Sequence, residues 1–326
     1  MIAVTGATGH IGNVLVRKLL ARGENVRVII PPFEDIKPLK GLKVEIVEGD
    51  VRNIGSLTKA FHNAEIVYHL AGIVTILSGN DDFLYQVNVE GTKNIVDACL
   101  KNNVKRLIYV SSVHALKEPP HGTVIDETCG YNAECTIGSY GRSKTLASIE
   151  VLKGINKGLD AVLVCPSGVI GPYDYRISQM GHLIINFMKG DLKARVDGAY
   201  DFVDVRDVAE GLILARENGK RGESYLLSGE QISVQDLFFE LEKLTGTKAP
   251  SLKVPLWLVK GVSKISPLYY KLTGKEPLFT SYSIDVINSN SKISYVKACN
   301  ELGYSPRPIK ESIQDSVEWI KENIEF

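Results

Sequence analysis

The chain opens on an apolar run, "IAVTG", and then changes period. From His10 to Arg22 the apolar residues Ile11, Val14, Leu15 and Leu19 fall on one helix face, and Gly23 stands where that helix ends. "NVRVII" reads as a second strand stopped by Pro31 and Pro32. "KVEIVEGD" and "AEIVYHLAG" read as the third and fourth strands, each running into loop residues. A long helix from Asp82 to Asn103 precedes a fifth strand, "VKRLIYVSS"; a further helix follows Ser139, and "DAVLVCPSG" is the sixth strand. Strands that are apolar almost without alternation belong to a parallel sheet covered by helices on both faces. The pattern therefore predicts an α/β fold with a doubly wound parallel sheet.

After "GVIGPYD" the rhythm changes. A helix is expected over 177–189, "YDFVDVRDVAEGLILA" returns to strand plus helix, and "ESYLLSG" is another short strand. From Ser233 onward the pattern is mainly helical with proline punctuation, which predicts a smaller C-terminal lobe packed against the sheet. The boundaries that follow are a first domain over 1–172, completed by 201–228, and a second lobe from 173–200 and 229–326. The most apolar late stretch, "VPLWLVKGVSKISPLYYKL", carries Lys260, Lys264 and Lys271 and fits an amphipathic helix of that lobe better than a membrane span.

Composition narrows the function classes. Of 326 residues, 44% are hydrophobic and 23% charged, and the 38 basic residues balance 38 acidic ones, so bulk charge gives no reason to expect nucleic acid. Five scattered cysteines do not form a disulfide framework and fit a reducing cytoplasm. The first residues already read as a strand, so no signal segment is expected, and the protein is expected to be soluble. The six histidines show no metal-ligand spacing, so no metal is expected.

Two motifs carry chemistry. "TGATGHIG" sets Gly6, Gly9 and Gly12 between the first strand and the first helix. Glycines permit the tight turn and close backbone approach that a pyrophosphate needs, and the helix N-terminus offers it free N–H groups and positive dipole. This is the position of a dinucleotide-binding loop in a Rossmann-like sheet. In "SYGRSK", Tyr140 and Lys144 stand four residues apart on one helix face and can enter the same cleft. An ammonium beside a phenol lowers its pKa, and reaching neutrality needs roughly 4 kcal/mol from the lysine and an oxidised nicotinamide together.

Taken in order, "TGATGHIG", "GDV", "HLAG", "NVEGT", "YVSS", "YGRSK", "PSGVIGP" and "FVDVRDVA" resemble the extended short-chain dehydrogenases/reductases, the NAD-dependent epimerase/dehydratase family, over almost the whole chain. The nearest branch is that of dihydroflavonol reductases and 3β-hydroxysteroid dehydrogenases. The resemblance implies that Gly6, Thr8, Gly9, His10, Ile11 and Gly12 hold the pyrophosphate, and that Asp50 holds the adenine with Val51 beside it. It implies that Leu70, Ala71, Gly72 and Val110 line the phosphate and ribose path, that Pro166 and Val169 meet the nicotinamide, and that Asn88 is a structural or relay residue. Lys144 then donates to the ribose, Tyr140 is the acid/base, and Ser112, with Ser111 as fallback, holds the substrate oxygen. His114 reads as a satisfied loop histidine before a substrate-facing one, and Tyr173, Tyr175, Met180 and Phe187 stand evenly between substrate pocket and core. A homodimer through the long helix and the Tyr140 helix is the family analogy.

The cofactor is left as NADP or NAD. Pro31 stands where related reductases have arginine; Lys37 can approach a 2′-phosphate, Glu34 or Asp35 a 2′-hydroxyl, and the form of the glycine loop leans to NADP. "SSVHALKE" lacks the Thr-Asp-Glu set of nucleotide-sugar dehydratases, and "CPSGVIGP" lacks the "RYFN" of sugar epimerases. The expected function is an NAD(P)-dependent oxidoreductase that interconverts a carbonyl and a secondary alcohol on an apolar small molecule. The alternatives are an epimerase or dehydratase that retains its nucleotide, and a non-catalytic redox sensor.

Overall fold

Twelve strands appear among the described residues: β1 (Ile2–Thr5), β2 (Val26–Ile30), β3 (Glu45–Glu48), β4 (Ile66–His69), β5 (Arg106–Val110), β6 (Ala161–Pro166), β7 (Gly168–Ile170), β8 (Ala194–Arg195), β9 (Ala199–Asp204), β10 (Ser224–Leu227), β11 (Glu230–Ser233) and β12 (Leu252–Lys253). The computed structural model describes residues 1–74, 81–120, 122–136, 138–255, 258 and 290–325. Seven strands pair in the order β10-β6-β5-β4-β1-β2-β3, and all six pairings are parallel. The chain runs outward from β1 to β3, then crosses back to place β4 on the other side of β1. That reversal opens a crevice at the C-terminal ends of β1 and β4, the position where doubly wound sheets bind ligands.

The unbroken apolar strands follow from burial on both sides. Val4, Val28, Tyr68, Ile108 and Val164 share one core with α1 (His10–Ala21) and α7 (Val205–Asn218). Their neighbours Ala3, Ile29, Val67, Leu107 and Leu163 point the opposite way, onto α2 (Ile54–Ala60), α4 (Gly91–Lys101) and α5 (Gly138–Asn156). A second core gathers α6 (Gln179–Met188), α8 (Val234–Thr245) and the C-terminal α10 (Ile309–Asn323), with Phe187 stacked on Phe238 at 5.5 Å between ring centroids. The shorter α9 (Val296–Leu302) instead sends Ala298 and Leu302 into the first core, so it packs with the sheet rather than with α10.

Three features depart from the sequence expectation. Residues after β3 were expected to be loop, but α2 forms there because Asn53 caps it, its side chain accepting from the Ser56 N–H at 3.1 Å. The long helix after β4 is α3 (Asp81–Tyr85), a π-helical turn over Gln86–Glu90, and then α4. A small sheet joins β7 in parallel and β11 in antiparallel fashion to the expected strand β9; β7 and β11, of three and four residues, are too short to show a period. The expected amphipathic helix over 254–272 lies largely outside the described residues. Among the described residues no helix is long and apolar enough to cross a membrane.

Candidate active site

The three glycines after β1 have different reasons to be glycine. Gly6 takes φ +71°, and a Cβ there would lie 2.5 Å from the Ala71 nitrogen; one at Gly12 would lie 2.0 Å from the Gly6 carbonyl oxygen. Backbone packing alone demands both. Gly9 is the extended N-cap of α1 at φ −73°, where a Cβ would meet only the Gly6 oxygen, at 3.3 Å, among the described residues. A Cβ at Gly9 would press on that oxygen without the outright clash met at the other two, and Gly9 directly precedes the first N–H groups of α1. Those groups have no earlier turn to bond to, and they suit an anion.

One face of α1 braces this loop against the segment that follows β7. His10 Nε2 lies 2.9 Å from the Pro172 carbonyl oxygen. Asn13 Nδ2 donates to the Gly9 and Tyr173 carbonyls at 2.9 and 3.1 Å. Arg17 donates to the Pro38 carbonyl at 3.0 Å, and its guanidinium lies 4.9 Å from the Tyr173 ring centroid. Positions 10, 13 and 17 share one helix face, so the bracing is a consequence of helical period.

The structure brings Tyr140, Lys144 and Ser112 together at the end of β5. Tyr140 and Lys144 are both buried on the first turns of α5. Gly141 lets this helix approach, since a Cβ there would lie 2.7 Å from the His114 carbonyl oxygen. The Ser112 hydroxyl stands near enough to the Tyr140 phenol to oppose the rise in its pKa, and it accepts from the His114 N–H at 3.2 Å. Ser111 faces the interior instead, 2.7 Å from the Ser148 hydroxyl, so the fallback position is not at the site.

Burial sets the electrostatics around the phenol. Lys144 Nζ donates to the Val110 carbonyl at 2.8 Å and sits 5.2 Å from the Tyr109 ring centroid. Its ammonium is thus directed at a carbonyl and an aromatic face, and burial dominates the phenol. Desolvation pushes Tyr140 up to about 12 against the opposing Ser112 hydrogen bond. Burial also brings Lys144 down to about 8. The protein by itself therefore holds Tyr140 protonated at neutral pH.

A buried polar chain that sequence reasoning missed runs beneath the site. Thr92 Oγ donates to the Asn88 carbonyl at 2.6 Å, so it accepts from His69 Nε2, 3.1 Å away. His69 Nδ1 must then accept the Thr5 hydroxyl proton at 2.8 Å, and Thr5 Oγ accepts from the Ala71 N–H at 3.3 Å. This order fixes His69 as the neutral Nε2–H tautomer, and burial holds its pKa down to about 3. Asn88, in the π turn, accepts from the Ile73 N–H at 2.8 Å and donates to the Ser143 hydroxyl at 3.0 Å; Ser143 donates to the Tyr140 carbonyl at 2.8 Å. The cofactor-side turn after β4 is thereby tied to the helix of Tyr140. A histidine inside "IVYHLAG" with a threonine four residues past Asn88 was the available signal.

The other sequence candidates are distributed unevenly. The Asp50 carboxylate is held by Arg52 Nε at 3.0 and 3.1 Å, and this side-chain hydrogen bond keeps its pKa below the usual range, so an adenine there would share it with Arg52. Val51 packs under the start of α4, against Gly91. Leu70, Ala71 and Gly72 flank the crevice beside Gly6 and Lys144. Pro166 closes β6, and Val169 lies in β7 opposite Val203. His114 bonds to the Tyr200 hydroxyl at 2.8 Å and lies edge-on to Tyr140, with 6.4 Å between ring centroids. Phe187 is in the second core, and Tyr173, Tyr175 and Met180 are partly buried against it; Tyr175 packs on Trp319 at 5.1 Å between ring centroids. The described residues contain no cluster of metal-ligating side chains.

Residues 2–228 match the model of the NAD dependent epimerase/dehydratase family. The chain belongs to that family. It is an enzyme of the extended short-chain dehydrogenase/reductase type. It is 36% identical over 98% of both chains to sterol demethylase protein B of Methylococcus capsulatus. It is 34% identical to a putative dihydroflavonol 4-reductase of Synechocystis, over 98% of this chain and 94% of the relative. Among solved structures it superposes on gox2253 with a TM-score of 0.88 at 34% identity, covering 99% of this chain and 98% of the other. The residues present fit a dinucleotide: Gly9 has no side chain before the α1 N-terminus, and the loop lies at the switch point of the sheet.

Two outcomes test this architecture. Gly9→Val should fold with a melting temperature near wild type yet lose nucleotide binding, whereas Gly12→Ala should lower the melting temperature by several degrees (about 2 kcal/mol or more); melting and nucleotide titration of the pair separate the two roles. Unfolded His69 takes up a proton below about 6.5, while folded His69 stays neutral to about 3. The unfolded state therefore binds more protons in that window, and stability falls as pH falls through it. By pH 5 the loss is about 2 kcal/mol. In urea unfolding, the stability gap between wild type and His69→Gln should narrow by that amount from pH 7 to pH 5. An unchanged gap would show that His69 does not titrate in this way.

Proposed function

We propose that the protein is an NAD(P)-dependent oxidoreductase that interconverts a carbonyl and a secondary alcohol on an apolar small molecule. The observation that carries this reading is the meeting of Ser112, Tyr140 and Lys144 at the end of β5, beside the sheet's switch point. The names of its relatives, sterol demethylase protein B and a putative dihydroflavonol 4-reductase, support a ring-bearing substrate.

In this reading Gly9 and the start of α1 would hold the nucleotide's pyrophosphate, and Leu70 to Gly72, Val110, Pro166 and Val169 would line the rest of it. Asp50 and Val51 take the adenine end. When bound, the nicotinamide supplies or accepts the hydride. Lys144 spends one N–H on the Val110 carbonyl, which leaves two donors for ribose hydroxyls. Ser112 orients the substrate oxygen. Tyr140, kept protonated by burial, gives its proton to that oxygen during reduction. The unaided site thus favours the donor form of the phenol, the form that carbonyl reduction requires. Oxidation of an alcohol needs the phenolate, and so needs positive charge that Lys144 alone does not direct at the phenol.

The test follows NADPH and NADH absorbance with a panel of sterol-like and aryl ketones, together with the Tyr140→Phe variant. Wild type should consume reduced nucleotide with at least one ketone. Tyr140→Phe should lose about 100-fold or more in rate, with nucleotide affinity within about threefold of wild type. Retention of most activity by Tyr140→Phe would remove the phenol from the mechanism. Nucleotide binding without consumption of any ketone would favour an internally redox-neutral epimerase or dehydratase instead.

A further inference from the structure

Pro31 and Pro32 follow β2 directly, and no arginine stands in the loop between β2 and β3. Of the acidic and basic residues in that loop, the structure separates those near the glycine loop from those that are not. Asp35 accepts the Lys37 backbone N–H at 2.9 Å, and Lys37 starts a short 3₁₀ turn through Leu39. Glu34 instead turns back over the glycine loop, where its Oε1 accepts the Thr8 hydroxyl proton at 2.7 Å.

A cation from a distant part of the chain completes the group. Arg176 Nη2 donates to Thr8 Oγ at 3.0 Å and pairs with the same Glu34 oxygen. Arg176 belongs to the segment after β7 that α1 braces through His10, Asn13 and Arg17. That segment holds two non-glycine residues in the left-handed region, Tyr173 at φ +68° and Ile177 at φ +48°. Such backbone costs free energy and persists only where its surroundings enforce it. Here its result is to carry a half-exposed guanidinium over the glycine loop and onto Glu34.

We propose that Glu34 and Arg176 together read the 2′ position of the nucleotide's adenosine ribose, with Arg176 receiving a 2′-phosphate and Glu34 accepting from a 2′-hydroxyl. The proposal rests on a nicotinamide nucleotide lying at the glycine loop. In the free protein each group neutralises the other, and either nucleotide must open the clasp by replacing one partner. The consequence is a protein that binds both forms, with the discriminating cation supplied by the segment after β7 and not by the strand end. A carboxylate alone at Glu34 would repel a 2′-phosphate; Arg176 offsets that repulsion and adds charge-assisted hydrogen bonds.

The experiment measures the dissociation constants of NADH and NADPH by nicotinamide fluorescence, without substrate, for wild type, Arg176→Gln, Arg176→Lys and Glu34→Gln. Wild type should bind both nucleotides, within about tenfold of each other. Arg176→Gln should weaken NADPH by about 10- to 100-fold while NADH stays within about threefold, and Arg176→Lys should lose less. Glu34→Gln should act in the opposite sense, weakening NADH about tenfold and tightening NADPH several-fold. Melting curves without nucleotide identify any variant that fails to fold, and the surviving member of the opposed pair then decides by its NADH-to-NADPH ratio. Equal shifts for both nucleotides, or no shift, would overturn the clasp while leaving the glycine-loop reading intact. A wild-type protein that binds neither nucleotide would overturn that reading and the clasp with it.

Discussion

The turn after β1 touches the turn after β4, and the rest of the site depends on that contact. With Gly6 in the left-handed region and no room for a methyl between it and Ala71, the two chain reversals at the switch point lie against each other. Thr5 and His69 end the two strands and are hydrogen-bonded across the sheet. The His69 ring passes the connection to Thr92 and the π turn, and Asn88 passes it to Ser143 in the helix of Tyr140. A buried chain of neutral hydrogen bonds with fixed donor order has few alternative arrangements, because reversing one member leaves another unsatisfied in a medium without water. Such a chain can hold a phenol, a lysine and a glycine loop in register across three elements.

Burial dominates the surroundings of the Tyr140 phenol. Two residues spaced by four share a helix face, but sharing a face does not determine where a long side chain sends its charge. Lys144 is directed at the Val110 carbonyl and the Tyr109 ring, both contributed by β5. What remains for the phenol is desolvation and one hydroxyl, and desolvation prevails. Spacing can place two groups in one cleft, whereas the balance between burial and charge depends on what the neighbouring strand presents to each.

Long-period features were legible in the sequence and close contacts were not. Mainly apolar runs marked β1, β2, β4, β5 and β6, and the spacing of Ile11, Val14, Leu15 and Leu19 marked α1, because these are set by burial along a single element; β3 is largely exposed. The helix α2 was missed because it is short and its signal is a cap, Asn53 to Ser56, rather than a period. Glycines were recognisable as a loop, but only the positions of Ala71 and the Gly6 carbonyl separate Gly6 and Gly12, where a Cβ would clash, from Gly9, where it would press on the Gly6 oxygen at 3.3 Å. His114 and Tyr200 lie far apart in sequence, and nothing in either stretch signals that their side chains meet at 2.8 Å beside the phenol.

The aromatic residues after β7 make the same point about direction. Tyr173, Tyr175 and Met180 follow the motif that ends at Pro172, and by position alone they could line a pocket or fill a core. Trp319, from the far end of the chain, packs against the rings of both Tyr173 and Tyr175. The segment is thus anchored from two sides: α1 holds its backbone and Arg17 covers the Tyr173 ring, while α10 takes its aromatic side chains. A left-handed residue at each end of Asp174 to Arg176 is the geometric cost of facing both ways within so few residues. The polar side chain that emerges from this anchored turn is therefore held in place by the packing of both cores, and its position over the glycine loop is a property of the whole fold.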